Sequence, residues 1–314
     1  MIIGTQSIIY RNIFPYKFPN CETEKNLTEI KEKTQEIILS KKIIKKPKII
    51  KDPNGIKDEL IIRFLDLDLR EIKKHSILIS ESIEETAVGL NISEHISCIS
   101  KSESNSPLES YEMTKRIIDE LSKHLIFSYS KNFGFLGSDP SLVPNQTEII
   151  FLMHTPGIYH TNSSAEIKEN LKFLGAEIKG INEDILCSFG FIYVFVKPEP
   201  NEKIDDFIKR AKKLAQIIEE KEIKTSEDYL KKNKLKFEDT VWKSYGILKY
   251  SKAISYDEFV SLSSRLIWGI SNKTIIADYN KTMEKIIKTI KFFKRKKNEK
   301  TKILLAKKAK ELMD

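Results

Sequence analysis

Along the chain, short apolar runs separated by turn residues alternate with stretches in which hydrophobic positions recur at three- and four-residue steps. An apolar run from Ile2 to Ile13 leads into Phe14-Pro15-Tyr16-Lys17-Phe18-Pro19 and reads as a buried strand or loop. The polar stretch from Glu22 to Asn54 holds a predicted helix over Leu27–Leu39, followed by the lysine-rich run Lys41 to Lys48. Between Ile77 and Ser100 come three strand-like pieces, Ile77–Ile79, Ala87–Leu90 and Glu94–Ser100, whose polar separators mark an antiparallel meander. Ser106-Pro107 opens a helix with proline in its first turn, and Leu108, Tyr111, Ile118, Leu121 and Leu125 recur along one face of it.

Phe133 to Gly137 is an apolar segment broken by two glycines, Ser138–Ser141 and Pro144-Asn145 are turn chemistry, and Ile149–Met153 is a short, fully apolar strand. A second buried strand is predicted at Phe189–Val196. After it, Asn201 is expected to cap a helix with the stripe Ile204, Phe207, Ile208, Ala211, Leu214, Ala215 and Ile218. A charged stretch, Glu219 to Lys236, precedes Glu238–Tyr250. Ser255 and Glu258 form a capping box for a helix expected to close near Gly269, and Met283, Ile286, Ile287, Ile290 and Phe293 form a last helical stripe.

With 314 residues, 40% hydrophobic, the chain has material for a real core in one large or two ordinary domains. The net charge of +9 is made mostly of lysine and reads as compositional bias rather than a nucleic-acid patch. The clusters Lys41–Lys51 and Lys294–Lys297 lack interleaved aromatics for base stacking, so a basic nucleic-acid-binding protein ranks last among the readings. Cys21, Cys98 and Cys187 show neither disulfide arithmetic nor metal-ligand spacing, which implies a reducing compartment and no metal site. No run approaches the roughly 20 apolar residues of a membrane span, and no signal-peptide pattern opens the chain. A cytoplasmic location is expected, with no membrane partner.

The stretch Lys131–Ile158, KNFGFLGSDPSLVPNQTEIIFLMHTPGI, resembles the segment of phosphagen (guanidino) kinases in which a Gly-Tyr-Leu stretch leads into a Cys-Pro-Thr-Asn loop, a Gly-Thr-Gly-Leu-Arg turn and a strand ending His-Leu-Pro. Gln6–Ile13 is similar to the family's Arg-Ile-Arg-Leu-Ala-Arg-Asn-Leu, with Arg11-Asn12 fixing the register, and Asn91–Ser97 to its Asn-Glu-Glu-Asp-His-Ile-Arg. Lys179–Tyr193 is similar to its Arg-Gly-Ile-Tyr-Gly-Glu loop and following strand. Glu238–Leu248 and Ser264–Ile270 resemble the helical C-terminal part of one branch, the bacterial protein arginine kinases. The resemblance runs from about Ile3 to Met313. It implies an α+β catalytic-like domain, a mostly antiparallel sheet flanked by helices over residues 1–230, followed by a small all-helical domain over residues 231–314.

The resemblance also implies chemistry that these residues do not supply. The family's phosphate-binding arginines fall on Gln6, Ile8, Ser97, Glu148 and Lys179, so only one of those positions remains a cation. The substrate glutamates fall on Ile92 and Ser93, the reactive cysteine on Asp139, and the catalytic glutamate on Asp184. Phosphoryl transfer from ATP rests on cations around the triphosphate and on alignment of both reactants. The expected function is therefore a degenerate, inactive protein arginine kinase homologue in a regulatory or scaffolding role. No cofactor is expected, and the partner would be a second copy or an intact arginine kinase. The alternative is an active phosphotransferase using Mg-ATP through a rearranged site, with Lys179 and Lys131 as cations and Asp184 and Asp139 as carboxylates.

Overall fold

The computed structural model describes residues 1–50, 75–81, 86–102, 104–161, 175–181, 189–293 and 298–313. Asp184, Cys187 and Lys294–Lys297 lie outside them. The architecture is α+β: a mostly antiparallel sheet with flanking helices and a helical C-terminal region, in the described residues. The chain divides into two compact units. One comprises Gly4–Phe151 with Phe195–Leu214; the other comprises Met1–Ile3, Leu152–Val194 and Ala215–Asp314.

In the first unit the strands β1 (Ile2–Arg11), β2 (Pro47–Ile50), β3 (Ile77–Glu81), β4 (Thr86–Leu90), β5 (Ile96–Ser102) and the start of β8 (Thr147–His154) lie in the order β2-β3-β4-β5-β1-β8. The β3-β4-β5 meander is antiparallel, as its separators predict. Helices α1 (Glu24–Ser40) and α2 (Pro107–Ser122) begin at Thr23 and Ser106, whose hydroxyls accept from Asn26 N and Glu109 N. Both helices bury one face on the sheet: Ile9, Val88, Leu90, Ile96 and Cys98 pack with Ile30, Ile38, Ile117, Ile118 and Leu121. Leu108, placed on that face by its spacing, is instead exposed: the buried face of α2 starts at Pro107 and continues through Ser110 and Thr114 to Ile117, Ile118 and Leu121. A small hairpin, β6 (Tyr129–Ser130) with β7 (Gly134–Phe135), opens the loop that leads to β8. Gly134 has φ +77, and a Cβ there would stand 2.4 Å from Pro144 O, so no other residue fits this turn.

The second unit holds the end of β8, β9 (Ala176–Gly180) and most of β10 (Phe191–Val196), in the order β8-β10-β9. With them come α3 (Pro156–His160), most of α4 (Ile204–Tyr250), α5 (Tyr256–Ser271), α6 (Tyr279–Phe293) and α7 (Glu299–Met313). The charged stretch Glu219–Lys236 is helical on both sides of Asn233, whose non-helical backbone kinks α4. Residue 230, the expected boundary, lies three residues before Asn233, where the backbone of α4 leaves helical geometry (φ −132, ψ 27). Asn201 is not its cap: it sits at φ +64 in the preceding turn, and helical hydrogen bonding starts with Phe207 N donating to Lys203 O. The Ser255–Glu258 capping box is present in both directions. α5 closes near Gly269 as expected, at Ser271, with the Gly269 carbonyl accepting from Thr274 N at 2.9 Å; a Cβ on Gly269 would also come 2.3 Å from Val241 Cγ1. The Met283–Phe293 stripe is buried. None of the described helices is long and apolar enough to cross a membrane.

Candidate functional site

Strand register decides which of the singled-out residues meet. Residues directly opposite in an antiparallel pair share a face. Gln6 lies opposite Lys101, Ile8 opposite Ile99, and Tyr10 opposite Ser97. β4 continues the rows, with Ala87 opposite Ile99 and Gly89 opposite Ser97. These positions all face away from the α1–α2 core, whose residues Ile9, Cys98, Val88 and Ile96 occupy the alternate rows. Gln6, Ile8 and Ser97, three of the positions given to arginine by the resemblance, therefore share one face of the sheet.

The loop after β4 brings two more residues to this face. A Cβ on Gly89 would stand 2.6 Å from Ile92 Cδ1, so the Ile92 side chain lies on the bare backbone of Gly89, beside Ser97. Ser93 Oγ is 3.1 Å from Ser97 Oγ. Gln6, Ile8, Ile92 and Ser97 are buried, and Glu148 is buried on β8, the strand beside β1. Lys101 is a cation on the same face that inspection of the sequence missed. The alternation of Ser97, Ile99 and Lys101 along β5 carried the signal.

Asp139 stands on the rim of the first unit. It caps the short 3-10 turn Pro140–Leu142, accepting from Ser141 N at 2.9 Å, and pairs with Lys197 Nζ at 2.9 Å. Burial would raise the Asp139 carboxyl, but the Ser141 hydroxyl, the Lys197 ammonium and the Ser141 amide together bring it below the usual aspartate value. Lys197 is the second partner that the sequence did not reveal, since 58 residues separate the pair.

A polar network, buried at Asn12, Glu94 and His95 and reaching the surface at Ser138, fixes this rim. Glu94 accepts from Asn12 Nδ2 at 2.6 Å and from Ser138 N at 2.6 Å, and also from the Ser138 hydroxyl. Asn12 Oδ1 accepts from His95 N, and His95 Nδ1 accepts from Ile13 N at 3.1 Å. Arg11 is a cation near the site, but its guanidinium lies 3.6 Å over Phe135 and donates to the carbonyls of Tyr10 and Asn145. It clamps the loop, and burial lowers its pKa to about 10. Lys131 is exposed.

Of the remaining residues, Lys179 belongs to the second unit, exposed on β9 and 3.5 Å from Glu177. Asp184 lies outside the described residues. Among the described residues no cluster of three or more His, Cys, Asp or Glu side chains is arranged to hold a metal ion.

This sheet carries the match to known proteins. The family model described as ATP:guanido phosphotransferase, C-terminal catalytic domain, matches residues 17–193, more than half of the chain. The chain belongs to this family. Among curated ATP:guanido phosphotransferase relatives, a protein-arginine kinase of Caldanaerobacter subterraneus subsp. tengcongensis is 26% identical over 176 residues, covering 55% of this chain and 52% of that protein. One from Bacillus cereus is 23% identical over 284 residues, covering 86% of this chain and 78% of that protein. The match to the first thus spans about half of that relative's length.

Solved phosphagen kinases share the fold. The duplicated taurocyamine kinase from Schistosoma mansoni with bound transition state analog components superposes with a TM-score of 0.56 at 17% identity, covering 69% of this chain and 33% of that one. A lombricine kinase gives 0.53 at 12% identity, covering 69% of this chain and 66% of that one.

Proposed function

We propose that this protein is a protein-arginine-kinase-like member of the family that no longer transfers phosphate and acts by binding other proteins. One observation carries the reading. Gln6, Ile8, Ile92, Ser93 and Ser97, at positions where the resemblance places arginines and carboxylates, gather on one sheet face and bring no charge to it. Charge-assisted hydrogen bonds contribute about 1.5–3 kcal/mol each, so losing four of five arginines removes roughly 6 kcal/mol or more. That is about four orders of magnitude in affinity for a triphosphate. Ile92 packed on Gly89 leaves nothing at its position to orient a guanidinium. Titration calorimetry tests the reading: no heat of binding with millimolar Mg-ATP is expected, and a micromolar dissociation constant would refute it.

The alternative, an active phosphotransferase with a rearranged site, is favoured by Lys101, which supplies a cation opposite Gln6. Against it, Asp139 is engaged by Lys197 and Ser141 rather than presented to a substrate.

A protein-binding role is supported by α4. Leu235, Trp242 and Tyr250 are 82%, 54% and 74% exposed, at steps that return to one side of the helix. Gly246, four residues after Trp242, would meet nothing within 4 Å if it bore a Cβ, so no contact inside the chain requires a glycine there. A close-approaching partner, a second copy or an intact arginine kinase, would. Light scattering on the full chain reads the first case: a dimer at tens of micromolar is expected, and a monomer that also binds no arginine kinase would remove this part of the proposal.

A further inference from the structure

Lysine is common throughout the chain, but its excess over acid is not. Residues 279–314 hold 13 of the 54 basic and 4 of the 45 acidic residues, which leaves 41 of each in residues 1–278. The whole net charge of +9 thus belongs to the last 36 residues, which include α6 and α7. Helix α7 buries Thr301, Leu305, Ala306 and Ala309. Its opposite face, covering roughly a third of the helix circumference, exposes Lys300, Ile303, Leu304, Lys307 and Glu311. Ile303 and Leu304 are 57% and 44% exposed, with a lysine one turn before them and another one turn after.

Lys308 pairs with Glu311 at 2.7 Å and Lys302 with Glu299 at 3.2 Å. The described residues place no carboxylate in ion-pair contact with Lys300, Lys307 or Lys310. Helix α6 adds Lys285, whose Nζ donates to Glu311 O at 3.4 Å and so stands at the last turn of α7.

A lysine-bearing helix face is ordinarily a solvated one. Two features set this one apart: it belongs to the segment that carries the net charge of the chain, and two branched aliphatic side chains lie exposed between the lysines. We propose that this face of α7 docks an acidic protein segment that carries apolar residues of its own, its carboxylates meeting Lys300 and Lys307 and its apolar side chains covering Ile303 and Leu304. Charge complementarity chooses an acidic partner, and the apolar pair chooses among acidic partners. An anionic bilayer fits poorly, because the main apolar stripe of α7 is already buried and leaves two side chains to insert. Nucleic acid fits poorly as well. The exposed face of α7 offers no arginine and no aromatic, and would set Ile303 and Leu304 against phosphates. The inference does not depend on whether the nucleotide site works.

The test uses the full chain and fluorescence anisotropy. The probe is a labelled helical peptide of about 15 residues built from alternating pairs of leucine and glutamate. Its controls are the same peptide with serine for leucine, single-stranded DNA of similar length, and phosphatidylserine-containing vesicles. Micromolar binding of the leucine–glutamate peptide is expected, weakened about tenfold both by Ile303→Ser with Leu304→Ser and by Lys300→Glu with Lys307→Glu. All four positions are exposed, so circular dichroism and the melting temperature should be unchanged. Failure of the peptide to bind, equal binding of its serine version, tighter binding of DNA or vesicles, or indifference to either pair of substitutions would overturn the proposal.

Discussion

His95 offers a perturbation whose size follows from the structure. Its ring is buried, its Nδ1 accepts from the amide of Ile13 at 3.1 Å, and its edge meets the Tyr16 ring, with centroids 6.3 Å apart. An Nδ1 that accepts fixes the neutral tautomer with the proton on Nε2. Protonation would set N–H against N–H, and burial lowers the His95 pKa from 6.5 to about 4. The sign follows from linkage. The unfolded chain takes up a proton below about 6.5 that the folded chain refuses until about 4, so the stabilisation is fully present above 6.5 and lost as the pH falls through that window. At 1.36 kcal/mol per unit the full displacement is worth about 3.4 kcal/mol, of which about 2 is lost by pH 5.

His95→Asn keeps an acceptor near the position of Nδ1 but cannot titrate. It should cost about 1–2 kcal/mol at pH 7.5 through lost ring packing, while removing about 2 kcal/mol of the fall between pH 7.5 and 5. Urea unfolding followed by far-ultraviolet circular dichroism measures both, since Trp242 and Trp268 belong to the other unit and do not report on this sheet. Equal pH dependence in the parent and in His95→Asn would refute the argument.

Gly246→Ala and Gly269→Ala should move stability in opposite directions: about 0.5–1 kcal/mol gained at the open Gly246, and about 1–3 lost where Val241 fills the space beside Gly269, both read by thermal unfolding. If α4 is an interface, the same Gly246→Ala change should weaken self-association in light scattering. Glu94→Ala should cost about 1–3 kcal/mol in chemical unfolding, because the buried Asn12 amide would lose its better acceptor and keep only Leu136 O, while the exposed Ser138 turns to water. Asp139→Asn keeps the turn cap and loses only a pair whose side chains are 43% and 31% exposed, so a change below about 1 kcal/mol that shrinks with salt is expected. Glu148→Arg should confer no turnover, since Gln6, Ile8, Ile92 and Ser97 are unchanged, and groups that act as a unit do not restore function singly.

The elements were legible wherever periodicity was strong. The β3–β5 meander, the proline-initiated α2, the capping box of α5 and the buried stripe of α6 all follow from local spacing and turn chemistry. What stayed hidden depends on residues far apart in the chain. Gly269 marked the helix end correctly, but the close packing of Val241 against it was hidden because Val241 lies on another helix. At the candidate site, the resemblance supplied the positions and strand register supplied their common face. Lys101 was within reach through its alternation with Ser97 and Ile99 and was missed, whereas no local pattern joins Lys197 to Asp139, 58 residues away.

The central claim is that the sheet face bearing Gln6, Ile8, Ile92 and Ser97 no longer supports phosphoryl transfer. The most direct measurement is ADP release together with phosphorus NMR detection of phosphoarginine, with Mg-ATP and an unfolded, arginine-rich protein as substrate. No product above the buffer control is expected, against the roughly 1–100 turnovers per second typical of kinases. Phosphoarginine accumulating beyond one equivalent per chain, and lost when Lys101 is replaced by alanine, would contradict the account and establish a rearranged but working site.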